Sequence, residues 1–124
     1  MDNAATTPID PLVIEAMMPW FKEHHGNPSS THAFGRKTKT AIEQARRSIA
    51  KSLNCSPSEI YFTSGGTEAD NLAMHIALGD LGCTHIITSA IEHSAVIKTA
   101  QMMEEQGRAK LSLVALNPDG HINL

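Results

Sequence analysis

The stretch Ile60-Tyr61-Phe62-Thr63-Ser64-Gly65-Gly66-Thr67-Glu68-Ala69-Asp70-Asn71 most narrows what this chain can fold into. Ile60 to Thr63 are all β-branched or aromatic, the composition of a pleated, buried strand. Gly65 and Gly66 permit a sharp turn and let the backbone come close to a ligand. Thr67 with Asp70 fits the S/T-x-x-D pattern of a helix N-terminus, with Leu72, Ala73, Ile76 and Ala77 following on one face. A strand, a glycine turn and a capped helix direct unpaired amide N–H groups at one point, which suits phosphate. The alternative is an ordinary strand-to-helix connection that needs glycine. Neither G-x-x-x-x-G-K-[ST] nor G-x-G-x-x-G is present, because Gly65-Gly66 is followed by Thr67, Glu68 and Ala69. A nucleoside triphosphate held by a Walker lysine is therefore not the expected ligand.

Further elements fall on either side. Asp10-Pro11 reads as an N-cap with proline at the first helical position, and Val13, Ile14, Met17, Met18 and Phe21 give that helix an apolar face. Pro19 should kink or end it. Gly26-Asn27-Pro28-Ser29-Ser30 is a loop by composition. A long helix is expected over about 31–53, with Phe34, Ala41, Ile42, Ala45, Ile49 and Leu53 as its buried stripe. Its outer face is basic (Arg36, Lys37, Lys39, Arg46, Arg47, Lys51), but no aromatic residues interleave, so a solvated face is expected rather than a nucleic-acid patch.

The central helix should end near Gly79 and Gly82. A strand follows at His85–Ser89, a helix at 94–106 striped by Ala95, Val96, Thr99, Met102 and Met103 and closed by Gly107, and a strand at 110–116. Asn117-Pro118-Asp119-Gly120 reads as a turn. Alternating strands and helices imply an α/β fold with a parallel sheet and right-handed crossovers, in which ligands sit at the carboxyl ends of the strands. That rule brings Glu92 and His93, after the second strand, near the expected phosphate.

Bulk properties set limits. The 124 residues suffice for one domain with a modest core, and 41% hydrophobic with 19% charged residues is a globular composition. A net charge of −3 gives no reason to expect nucleic acid or anionic membrane as partner. No apolar run reaches the roughly 20 residues of a spanning helix, and no signal-peptide pattern opens the chain. Cys55 and Cys83 form neither a C-x-x-C pair nor a disulfide framework, so reduced thiols and a cytoplasmic location are expected. His24, His25 and His32 follow no metal-ligand spacing, and no metal is expected.

Four segments together resemble a known family: Asp2-Asn3-Ala4-Ala5-Thr6-Thr7-Pro8; Gly26-Asn27-Pro28-Ser29-Ser30 with His32; Phe62 to Asn71; and Glu92-His93-Ser94-Ala95-Val96. In order and spacing they resemble the N-terminal signatures of the class V aminotransferase-like cysteine desulfurases, closest to the NifS/IscS group, with the SufS-like group second. The resemblance implies a homodimeric, pyridoxal 5'-phosphate-dependent enzyme of fold type I, a three-layer αβα arrangement. It implies conversion of L-cysteine to L-alanine, with sulfur leaving as an enzyme persulfide for an iron–sulfur scaffold or thio-cofactor acceptor.

By the same resemblance, Gly66 and Thr67 bind the cofactor phosphate, and His93 stacks on the pyridine ring and shuttles protons. The Ala4-Ala5-Thr6 arm and the Asn27–His32 loop match segments near the active-site mouth. Residues 1–30 would then be an arm and helix near the active site or small domain, and 31–124 an incomplete N-terminal part of the cofactor-binding domain. Lys98 and Lys110 do not match the family's cofactor-anchoring lysine. Cys55 and Cys83 do not match its mobile-loop cysteine. Those groups, with an aspartate and a glutamine, lie further along in the family. The expectation is thus an N-terminal piece of a desulfurase, inactive alone, with exposed sheet edges and an unfinished core. Alternatives left open are a non-catalytic chain that binds a phosphate ligand or a partner chain, and a selenocysteine lyase or other class V enzyme.

Overall fold

The computed structural model describes residues 6–123, which fall into two compact units divided between Tyr61 and Phe62. In the first unit, helix α1 spans Pro11–Lys22. Asp10 caps it by accepting from the Leu12 amide at 2.8 Å, with Pro11 at the first position. The helix runs through Pro19, contrary to expectation. Pro19 offers no N–H to the turn before it, but its own carbonyl accepts from Glu23 and His24 at 2.8 and 3.0 Å, and the exposed helix leaves the orphaned carbonyl open to water.

Helix α2 spans Ala33–Leu53 and ends on Asn54 in the left-handed region, with Cys55 N–H donating back to the Ala50 carbonyl at 3.0 Å. A 3-10 turn, Pro57–Glu59, packs on α2 under a capping box in which Glu59 accepts from the Ser56 amide at 2.7 Å. The apolar stripes expected to be buried are largely open. α1 has no buried residue, α2 buries only Gly35 and Ala50, and Phe34 and Leu53 are 62% and 65% exposed. The amphipathic patterns are present, but the described residues of this unit provide no second layer to cover them.

The second unit is a strand–helix–strand unit with a preceding helix. Helix α3 spans Gly66–Gly79, strand β1 His85–Ser89, helix α4 Ser94–Glu105 and strand β2 Lys110–Val114. The strands pair in parallel, from His85 opposite Lys110 to Ser89 opposite Val114. This is the α/β arrangement expected. The core lies on α4, where Ala95, Thr99, Ala100 and Met103 are buried, while Met102, expected in the stripe, is 39% exposed. Small residues at 95, 99 and 100 let neighbours approach α4 closely, and Met103 fills the space that remains. Gly107, at φ +68°, closes α4 as expected: its N–H reaches Glu104 O at 2.8 Å and the Arg108 N–H reaches Met103 O at 2.9 Å.

Two expectations fail here. Residues 60–63 form no strand among the described residues. Ile60 is extended as the cap of the 3-10 turn, but Tyr61 is 76% exposed. β-Propensity describes fit to a pleated, half-buried surface, and that surface exists only where a neighbouring strand completes it. Strand β2 stops at Val114 rather than Leu116, because the Asn117–Gly120 turn folds Ile122 back against Leu116 in an antiparallel bridge.

Candidate active site

At the start of α3 the N-cap is Gly65, with no side-chain cap, so Thr67 is the second helical residue rather than the cap. The cause is Glu68. Its carboxylate reaches back and accepts from both the Ser64 hydroxyl and the Ser64 amide, each at 2.6 Å, which starts the helix earlier. Thr63 braces the turn by donating to the Gly65 carbonyl at 3.1 Å. Helix geometry leaves the amides of Gly66 and Thr67 without an intrahelical acceptor. A Cβ at Gly65 or Gly66 would meet no protein atom within 4 Å, so the space before these amides is open. An anion placed there meets two donors and the positive end of the helix.

The Ser64 hydroxyl first, and then its amide, hold the exposed Glu68 carboxyl below its ordinary value. A group whose folded value is lowered stabilises the fold above its unfolded titration and loses that effect as pH falls through the folded value. Glu68→Gln should therefore flatten part of the acid limb of thermal midpoint against pH. An acid limb identical to wild type would show that the Ser64–Glu68 contact contributes nothing to stability.

His93 is the N-cap of α4. Its Nδ1 accepts from the Ala95 amide at 3.1 Å, so in the neutral ring the proton belongs on Nε2. The residue is exposed, leaving a face and an edge of the imidazole available to a ligand. Glu92, Ser89 and Thr88 line a recess at the carboxyl ends of β1 and β2, together with the apolar Ile87, Val114 and Ile122.

Gly66, Thr67 and His93 thus lie at the N-termini of two helices that pack on each other, α3 and α4. The residue joining them escaped the sequence reading. The Asn71 carboxamide donates to the carbonyls of Thr67 at 2.7 Å and Ala95 at 3.4 Å, and its oxygen accepts from the Thr99 hydroxyl at 2.9 Å. A signal was available, since asparagine in a helix interior is a poor helix former and is retained where its side chain has a partner.

The other candidates fall elsewhere. Asp2 to Ala5 of the first motif lie outside the described residues. His32 caps α2, with its Nδ1 3.4 Å from the Gly35 amide, and the Asn27–His32 loop belongs to the first unit. His24 and His25 lie against the rings of Trp20 and Phe34. Cys55 and Cys83 are free thiols, and Lys98 and Lys110 are exposed. The basic face of α2 is solvated, with Arg46 paired to Glu43 at 3.2 Å. No helix among the described residues is long and apolar enough to cross a membrane.

Comparison with known proteins yields a consistent set. The family described as aminotransferase class-V matches residues 1–124. The chain is 52% identical over 110 residues to a protein of Dictyoglomus turgidum named cysteine desulfurase IscS, covering 86% of this chain and 28% of that one. A Clostridium botulinum protein of the same name is 44% identical over 126 residues, covering all of this chain and 32% of the relative. Among solved structures, a NifS-like protein superposes with a TM-score of 0.82 at 39% identity, over 92% of this chain and 32% of that one. A structure titled SspA in complex with cysteine gives 0.79 at 39% identity, over 91% of this chain and 33% of the other. The chain therefore spans about a third of the length of these relatives.

Proposed function

Since this chain belongs to the aminotransferase class-V family, we propose that the whole protein is a pyridoxal 5'-phosphate-dependent cysteine desulfurase, and that residues 31–124 belong to its cofactor-binding domain. The supporting observation is the pairing of an open, glycine-flanked helix N-terminus at Gly66–Thr67 with an exposed imidazole at the adjoining N-terminus of α4. The donor set suits the cofactor. Two amides, and the Thr67 hydroxyl beside them, suit a phosphate dianion, while Ser64 already occupies the nearby Glu68 carboxylate. A flat imidazole suits an aromatic ring.

When bound, the cofactor supplies the electron sink for the bonds made and broken at the substrate carbon. This chain's residues do the rest of what falls to it. Gly66 and Thr67 bind the phosphate and fix its orientation, and His93 holds and moves a proton at Nε2. On this reading L-cysteine becomes L-alanine, and its sulfur passes to an enzyme cysteine and then to an iron–sulfur scaffold or thio-cofactor acceptor. We further propose a cytoplasmic homodimer, with residues 1–30 forming a part of the whole protein separate from the cofactor-binding domain. The protein titled as a complex with cysteine and the relatives named cysteine desulfurase support the substrate class.

The test is purification of the full-length protein, its visible absorbance, and alanine formation from L-cysteine. A yellow protein that forms alanine supports the proposal; a protein that stays colourless and inactive with added cofactor defeats it. Thr67→Val removes one hydroxyl from the phosphate end while keeping the shape. A charge-assisted hydrogen bond is worth roughly 1.5–3 kcal/mol, so cofactor affinity should fall by roughly 10- to 100-fold. Cofactor retained through dialysis at the wild-type level would count against a phosphate at Thr67.

A further inference from the structure

We propose that Asn71 is a positioning residue that sets the spacing between the phosphate end and the ring end of the site; this rests on the cofactor reading above. The Asn71 carboxamide is half-buried, and its partners belong to both helices. Nδ2 donates to Thr67 O on α3 and to Ala95 O on α4, and Oδ1 accepts from Thr99 Oγ1 on α4. Carbonyls only accept, so the nitrogen must face them and the oxygen must face the hydroxyl. The carboxamide therefore fits one way round, and Thr99, at 9% exposure, is itself held from moving.

The two carbonyls that Asn71 grips are specific to the site. Thr67 supplies an amide and a hydroxyl to the phosphate end. Ala95 supplies the amide N–H from which His93 Nδ1 accepts, so the placement of Ala95 orients the imidazole. One side chain thus ties the residue that holds the anion to the residue that aims the ring. A ligand that touches both ends depends on that link, whereas a ligand that touches one end does not.

Asn71→Asp keeps the shape and replaces the donor nitrogen with an oxygen facing two carbonyls. The experiment uses full-length protein stripped of cofactor, with folding verified by circular dichroism, and titrates pyridoxal 5'-phosphate, pyridoxal and inorganic phosphate separately. Asn71→Asp should bind pyridoxal 5'-phosphate about tenfold or more weakly, the scale of one lost hydrogen bond, while pyridoxal and inorganic phosphate bind as to wild type. Equal weakening of all three probes would mean general loosening and overturn the proposal. Unchanged affinity for pyridoxal 5'-phosphate in Asn71→Asp, with Thr67→Val weakened, would overturn the positioning role alone. Unchanged phosphate affinity in Thr67→Val would remove the cofactor reading, and the proposal with it. If Asn71→Asp does not fold, Thr99→Val must show the same split between probes and Thr99→Ser must restore wild-type binding; a failure of either overturns the role.

Discussion

If the proposed desulfurase reading and the proton role of His93 hold, replacing His93 with alanine is expected to slow L-cysteine turnover by the full-length protein about 10²- to 10⁴-fold, the usual range for removing a positioned acid–base group. Alanine also removes the cap of α4, because His93 Nδ1 accepts from the Ala95 amide. Losing an N-cap costs about 1 kcal/mol, so His93→Ala mixes a chemical loss with a structural one. His93→Asn separates them. Asparagine is a favoured N-cap and can accept from the same amide, but it does not titrate near neutrality. Turnover in His93→Asn should therefore fall as far as in the alanine variant, with thermal stability close to wild type and cofactor affinity largely kept. If His93→Asn turns over cysteine at the wild-type rate, the proton role is wrong and the imidazole serves only as a cap and a flat surface.

The same residue shows what could be read from the chain before its structure. Elements defined by local chemistry came through: Asp10-Pro11 starts α1, Gly107 ends α4, and the paired strands lie within the segments 85–89 and 110–116 expected for them. A cap is a contact between near neighbours, so a short window of sequence contains its whole cause. Elements completed by distant residues did not come through. The run 60–63 has strand composition, but composition alone does not supply the neighbour that makes a strand. The start of α3 was misplaced because Thr67 fits a cap pattern that Glu68 outcompetes through two short hydrogen bonds to Ser64. At the candidate site, Gly66 and Thr67 were singled out by the glycine turn and, together with His93, by the family resemblance, whereas the link that Asn71 makes to α4 runs through Ala95 and Thr99, partners more than twenty residues away. Apolar faces were legible, but their coverage was not, because periodicity reveals a stripe and not what lies against it.

Gly35→Ala is expected to destabilise the full-length protein by about 2–3 kcal/mol, although alanine is the better helix former. Gly35 is a buried residue in the first turn of α2, and a Cβ there would lie 2.5 Å from the Asn27 carbonyl oxygen and 2.8 Å from the Ser30 Cβ. The crowding is mutual. A Cβ on Gly26 would run into the Phe34 backbone and come within 2.9 Å of the Gly35 nitrogen. The neighbours cannot move cheaply: Asn27 Oδ1 accepts from the Ser29 amide at 2.9 Å, its carbonyl accepts from the Ser30 amide at 3.0 Å, and Arg36 donates to the Thr31 carbonyl. The obstacles are mostly backbone atoms in a closed turn, so the added methyl forces the turn to open or α2 to start later. Gly79→Ala is the matching control. It lies at the end of α3, where a Cβ meets nothing within 4 Å, and the helix-propensity gain of up to about 1 kcal/mol should appear without opposition. Urea unfolding should thus move the midpoint down for Gly35→Ala and leave it level or raise it for Gly79→Ala. Equal midpoints for the two variants would show that the 26–35 turn yields to a methyl group, and that close backbone approach is not why glycine stands at position 35.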